Sequence, residues 1–128
     1  MSERTEIQRL LNDLYTARMS GDLAGLCRLF SPDAKFRIAG ASRHATPIAI
    51  AAVGIDEIRQ WLSLLLKTFQ LTDRTALATV IDPPKAAVHW QVKVYSRITG
   101  LTMPTELVDL VELRAGAIAG YTEFLMPH

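Results

Sequence analysis

A chain of 128 residues fits one compact domain, and 49% apolar against 21% charged residues supplies a core and excludes disorder. Fourteen Lys and Arg against thirteen Asp and Glu leave a formal charge of +1 with no basic run longer than two, which argues against a nucleic-acid surface. The one cysteine, Cys27, cannot close an internal disulfide, the amino terminus has no apolar leader, and the longest near-continuous apolar stretch, Pro47 to Ile55, falls far short of the ~20 residues of a membrane helix. A cytoplasmic protein with neither a membrane nor a nucleic-acid partner is expected.

From Arg4 to Ser20 the residues Ile7, Leu10, Leu11 and Leu14 recur at three- and four-residue spacing, which predicts a helix. Gly21 stops it, and Asp22 is placed to cap the next. The second helix carries Leu23, Leu26, Leu29 and Phe30 on one face and ends at Ser31-Pro32-Asp33, where the proline disfavours helical backbone before it. A short strand from Ala34 to Ile38 follows, with Phe36 and Ile38 inward and Lys35 and Arg37 outward. Residues Ala39 to Val53 keep no period and read as a long irregular connection with short structure at most. Gly54 then opens a third helix with Asp56 and Glu57 in its first turn. Its buried stripe is Ile55, Ile58, Leu62, Leu65 and Phe69, with Trp61 beside it.

After that helix the period changes from 3.6 to 2. Strand-like runs lie near Leu71–Ile81, Ala86–Ile98, Met103–Arg114 and Ala117–Met126, separated by Asp82-Pro83-Pro84, Thr99-Gly100 and Ala115-Gly116. Consecutive, closely spaced strands make antiparallel hairpins the economical topology. The predicted fold is α+β, with three N-terminal helices packed in the concave face of a curved, mainly antiparallel sheet, one domain over residues 1–128. Such a cone encloses a hollow.

A second set of residues carries a resemblance. Tyr15-Thr-Ala-Arg-Met-Ser-Gly-Asp-Leu-Ala-Gly-Leu-Cys-Arg-Leu-Phe-Ser-Pro-Asp-Ala-Lys-Phe, the helix start Gly-Ile-Asp-Glu-Ile-Arg, and the closing Asp109-Leu-Val-Glu-Leu-Arg-Ala-Gly-Ala-Ile together resemble the nuclear transport factor two-like superfamily. Within it the chain is most similar to the SnoaL-like polyketide cyclase and ketosteroid isomerase-like branch. The resemblance covers nearly the whole chain and implies a cystatin-like cone, a homodimer formed through the sheet, and isomerase- or cyclase-like chemistry. Carried over residue by residue, the isomerase's oxyanion aspartate falls on Asp109, its oxyanion tyrosine on Leu14 and its general base on Ile38. Tyr15 stands one residue, about 100° of helix, from the tyrosine position. The superfamily's epoxide hydrolases use an Asp-Arg-Asp set around a water, and no such set is visible here.

Asp109 alternates with Leu107, Val111 and Leu113 and so points into an apolar interior, where its pKa would rise. Protonated, it could donate a hydrogen bond to a developing enolate, as in the ketosteroid isomerases. Alternatively it pairs with a cation or caps a buried backbone group. Arg18 falls near the middle of the apolar stripe of the first helix and is the natural partner for that acid, or else it snorkels to water at the helix end. Asp109, with Arg18 and Tyr15, forms the candidate catalytic set.

Phe36, Ile38, Trp61, Trp90, Leu107, Val111 and Phe124 are candidate walls of the hollow, and His44 in the long connection could fold over it. Each aromatic could equally be plain core, and His44 a solvated loop residue. Glu123 faces outward under strict alternation from Ile118, which turns Phe124 inward, but a bulge at Gly120 would bring Tyr121 and Glu123 inside. His89, on a polar strand face, suits a surface or subunit contact. Three scattered histidines show no ligand spacing, so no metal is expected, and the absence of phosphate-binding and dinucleotide glycine patterns points to cofactor-free chemistry. The expected function is proton transfer on a small apolar carbonyl or hydroxyl compound. The alternative is a non-catalytic ligand-binding dimer of the same fold.

Overall fold

The computed structural model describes residues 2–41 and 47–127. Helix α1 spans Glu3–Ser20; Ser2 caps it by accepting from the Thr5 amide, and Gly21 ends it with left-handed backbone at φ 71°. Its buried residues are Ile7, Leu10, Leu11, Leu14, Tyr15 and Ala17, the predicted stripe widened by one aromatic. Helix α2 is a short turn, Leu23–Cys27, capped by Asp22. It stops three residues before Phe30, earlier than its apolar spacing predicts, because Phe30 already starts strand β1, Phe30–Ala41.

Of the stretch read as irregular, residues 39–41 and 47–53 are strand. β1 runs beyond the predicted Ile38, and β2, Pro47–Val53, pairs antiparallel to it with Phe36 opposite Ala52 and Ile38 opposite Ile50. The small residues that erase any period in the sequence suit a strand that covers the sheet edge without adding bulk. Helix α3, Ile55–Thr68, follows Gly54, whose φ of 88° only glycine adopts without strain. Ile58 and Leu62 anchor it in the core.

Strands β3, Phe69–Asp82, β4, Lys85–Ser96, β5, Thr102–Arg114, and β6, Ala117–Pro127, are consecutive antiparallel neighbours as predicted. The described strands form one six-stranded sheet in the order β2-β1-β6-β5-β4-β3, in which only β1 and β6 run parallel. That parallel pair brings the first half of the chain back beside the last strand and makes the sheet mixed. Helices α1 and α3 pack on one face, and the core between them holds Trp90, Leu14, Leu26, Ile58 and Ile118, all essentially unexposed. Each such aliphatic side chain contributes roughly 1.5–3 kcal/mol on burial.

Two irregularities set which side chains enter the core. In β6, Glu112 pairs with Gly120 but Leu113 pairs with Ile118, so Ala119 is an extra residue. This bulge turns Tyr121 and Glu123 inward, the alternative that strict alternation from Ile118 missed. In β3 the register slips between Thr72 and Thr75 and again between Ala76 and Ala78, bending the strand around α1.

Candidate functional site

Five sequence-distant segments meet between α1 and the sheet. The bulge in β6 places Glu123 directly across from Asp109 on β5, with both side chains facing inward and essentially unexposed. The Tyr15 hydroxyl, from α1, donates to Asp109 Oδ2 at 2.6 Å, and the Trp90 indole N–H, from β4, donates to the same oxygen at 2.8 Å. Arg18, one helical turn beyond Tyr15, clasps Glu123 through both terminal nitrogens, Nη2 to Oε1 at 2.8 Å and Nη1 to Oε2. Arg18 Nη1 also donates to the Tyr121 hydroxyl, which in turn donates to Glu123 Oε2 at 3.0 Å. Edge-on stacking of Tyr15 on Trp90, at 5.3 Å between ring centres, closes one side of this network, and Phe36 stacked on Tyr121 at 5.5 Å closes the other.

The two carboxyls carry unequal charge. Asp109 Oδ2 has two donors, whereas Oδ1 is buried without one. An ionised oxygen left that way costs several kcal/mol, which favours the neutral acid beside Glu123. Burial, and then the neighbouring Glu123, accordingly push the Asp109 carboxyl well above the usual carboxylate range. Burial also opposes charge on Glu123, but Arg18 and the hydrogen bonds from Arg18, Asp109 and Tyr121 outweigh it and hold that carboxyl below its ordinary value. Burial, with Asp109 next, raises the Tyr15 hydroxyl, so this tyrosine is a donor and never a base near neutrality.

A groove of about 650 Å³ runs between α1 and β3, bordered by Leu11, Asn12, Tyr15, Thr16, Met19, Arg74 and Val88 among others. Of the buried network only Tyr15 also borders it. The Arg74 guanidinium lies over the Tyr15 ring at 3.9 Å and over Trp90 at 5.1 Å.

Several expectations are changed by this geometry. Asp109, Arg18 and Tyr15 do come together, but Arg18 grips Glu123 rather than Asp109, because the bulge delivers a second acid to it. Tyr15, a helical step from the isomerase's tyrosine position, still reaches Asp109. Asp109, Arg18 and Glu123 stand together, with Arg18 bonded to Glu123 and not to Asp109. Phe124, expected to line the hollow, is 42% exposed on the opposite face, since the same bulge reverses its direction. Phe36, Ile38, Trp90, Leu107 and Val111 are buried as packing and none borders the groove. Trp61 is half-buried on α3 against the core, and His44 lies outside the described residues. Sequence reasoning missed Arg74 and reached Tyr121 only through the bulge alternative. Nothing in the alternation of β3 marks Arg74, whose inward turn depends on the slipped register.

The SnoaL-like domain family matches residues 11–121, which include every member of this network except Glu123. The chain belongs to the SnoaL-like domain family. Among solved structures, this SnoaL-like chain is similar to a "Putative Isomerase from Bacillus subtilis", at 18% identity and a TM-score of 0.84 over 98% of this chain and 90% of that one. It is similar also to an NTF2-like protein from Burkholderia xenovorans, with 17% identity, TM-score 0.77 and coverage of 98% and 92%. An M. tuberculosis epoxide hydrolase of the LEH-like type shares 11% identity at a TM-score of 0.71, with 95% and 84% covered. At these identities the likeness shows the fold, which is the NTF2-like α+β cone. Among curated proteins no sequence matches this one. No group of three His, Cys, Asp or Glu among the described residues is placed to hold a metal.

Proposed function

We propose that this SnoaL-like domain, one unit over residues 1–128, binds a small, largely apolar carbonyl or hydroxyl compound in the groove between α1 and β3 and acts on it by isomerase- or cyclase-like proton transfer. The observation that carries this reading is the Tyr15 hydroxyl, which borders the groove and donates to a buried Asp109 whose carboxyl is pushed well above the usual range by burial and by Glu123. Tyr15 is the candidate catalytic donor. With its proton turned toward a substrate oxygen, the Tyr15 hydroxyl donates to the charge developing there, and Asp109 holds the phenol at the groove wall until the substrate arrives. Asp109, Glu123 and Arg18 are positioning residues that fix this tyrosine and keep the acid neutral. Trp90 holds Asp109 from behind.

The test is to incubate the protein with small cyclic enones and β-keto compounds in heavy water and follow exchange of the carbon-bound protons by NMR. Tyr15→Phe is expected to slow exchange about 10²–10³-fold, the usual cost of removing one such donor. Exchange unaffected by Tyr15→Phe would sink the reading.

One observation favours a second reading, in which the same groove binds its ligand without turning it over. The described residues bordering the groove include neither a carboxylate nor a histidine to serve as the base. A compound that binds and is recovered unexchanged would support it.

A homodimer through the outer sheet face belongs to this proposal. Val80, Leu110, Phe124 and Met126 are 63%, 45%, 42% and 55% exposed there, an apolar band that water contacts in the lone chain. The free, buried thiol of Cys27 fits a cytoplasmic setting.

A further inference from the structure

Arg74 is the charged residue that the network above does not use. Its backbone sits in the first register slip of β3, beside Asp73, whose φ of 56° is left-handed. That local twist sends the two neighbouring charges to different places. Asp73 turns to Lys93, with Oδ2 3.1 Å from Nζ, while Arg74 turns onto the Tyr15 ring at the wall of the groove. Arg74 therefore loses its adjacent counter-ion. It makes no hydrogen bond or ion pair among the described residues, and its Nε–H is buried without an acceptor.

Aromatic faces hold a guanidinium by its flat side and leave its edge donors free. A planar cation so held is oriented before any ligand arrives, and a carboxylate matches its fork of parallel N–H groups. The local charge balance points the same way. Arg18 and Arg74 both lie over Trp90, and the acids of the network offer them one charge, that of Glu123, which Arg18 already engages. The groove floor thus carries a surplus positive charge beside the apolar surfaces of Leu11, Met19 and Val88.

We infer that the groove takes a carboxylate-bearing small molecule, its carboxylate seated on the Arg74 guanidinium and its apolar body along α1. The inference rests on the groove assignment above and narrows the substrate class to organic acids. In that pose Arg74 anchors one end of the ligand, and Tyr15, lying directly under the guanidinium, is next to the anchored end.

The experiment titrates the full chain with monocarboxylates from acetate to phenylacetate, each against its primary amide, reading by NMR the Arg74 Nε–H resonance in the parent and the backbone amide resonances of the groove residues Tyr15, Thr16 and Val88 in parent and variants. Phenylacetate is expected to shift that resonance and to bind about tenfold or more tightly than phenylacetamide, or ~1.4 kcal/mol. Arg74→Gln should abolish the preference, so that phenylacetate binds no more tightly than phenylacetamide, and a circular dichroism spectrum matching the parent's shows that the variant is folded. Arg74→Lys, which keeps the charge without the planar fork, should retain a smaller preference. Equal binding of acid and amide, a preference that survives in Arg74→Gln, or no binding by any member of the series overturns the inference. The outcomes separate the two claims. Proton exchange that depends on Tyr15 without any acid preference removes this inference alone, whereas an Arg74-dependent preference without exchange removes only the proton-transfer reading.

Discussion

Asp109 and Glu123 are one strand-pair apart, yet burial and charge drive their protonation in opposite directions. Asp109 titrates at 3.8 in the unfolded chain and well above that in the fold, so its burial is free of penalty below pH 3.8. As pH rises above that value the unfolded chain releases a proton that the fold keeps, and stability falls by up to about 1.4 kcal/mol per pH unit until the folded group ionises. Asp109→Asn should remove this loss, because an amide can accept from Tyr15 and Trp90 through its oxygen and donate to Glu123 through its nitrogen. Urea unfolding at a series of pH values should show the variant gaining on the parent between pH 4 and 7; a parallel pair of curves would contradict a protonated Asp109. Glu123 has the opposite sign. Its contribution is present above its unfolded value of 4.5 and disappears as pH drops through its depressed folded value. Glu123→Gln leaves the Arg18 guanidinium, with a side chain 18% exposed, without its counter-charge and should cost about 3–5 kcal/mol at neutral pH, measurable as a lower urea midpoint.

At the scale of elements, one bulge determines the site. Ala119 has no partner in β5, and the bulge that absorbs it is what keeps Tyr121 and Glu123 on the helix side and Phe124 on the outer side. Deleting Ala119 should leave Ile118, Tyr121 and Glu123 in plain alternation on the helix side and keep Glu123 on Arg18. The expected result is cooperative unfolding with a urea midpoint closer to the parent's than that of Glu123→Gln; a loss as large as that of Glu123→Gln would show that the extra residue does more than get absorbed by the bulge. The helices were largely legible because spacing, Gly21 and Asp22 are local signals. β2 was not, since an all-apolar run of Ile and Ala shows no apolar–polar alternation and is defined by its pairing with β1. Arg74 was hidden for the same reason as Glu123, because a register slip changes facing without leaving a mark in composition.

For the whole molecule, the surplus of apolar residues has two destinations. One is the core under the helices, where Trp90 and its neighbours fill the cone instead of lining an empty hollow. The other is the outer sheet face, where Leu110 lies between Val80 and Phe124 in an exposed band. Native mass spectrometry at micromolar concentration should find a dimer, and Leu110→Glu should shift it to monomer with an unchanged circular dichroism spectrum. A monomeric parent protein would remove that part of the proposal. The sequence by itself determined the order of the three helices and of every strand but β2, the inward direction of Asp109 and the cone fold, because periodicity, caps and turn residues act over a few positions. Only the tertiary structure decided that Arg18 serves Glu123, that Tyr15 serves Asp109 and that Arg74 stands unpaired over the groove. Those contacts join residues 94 to 105 positions apart, or depend on bulges whose facing is fixed by the neighbouring strand, and no local pattern encodes a partner that far along the chain.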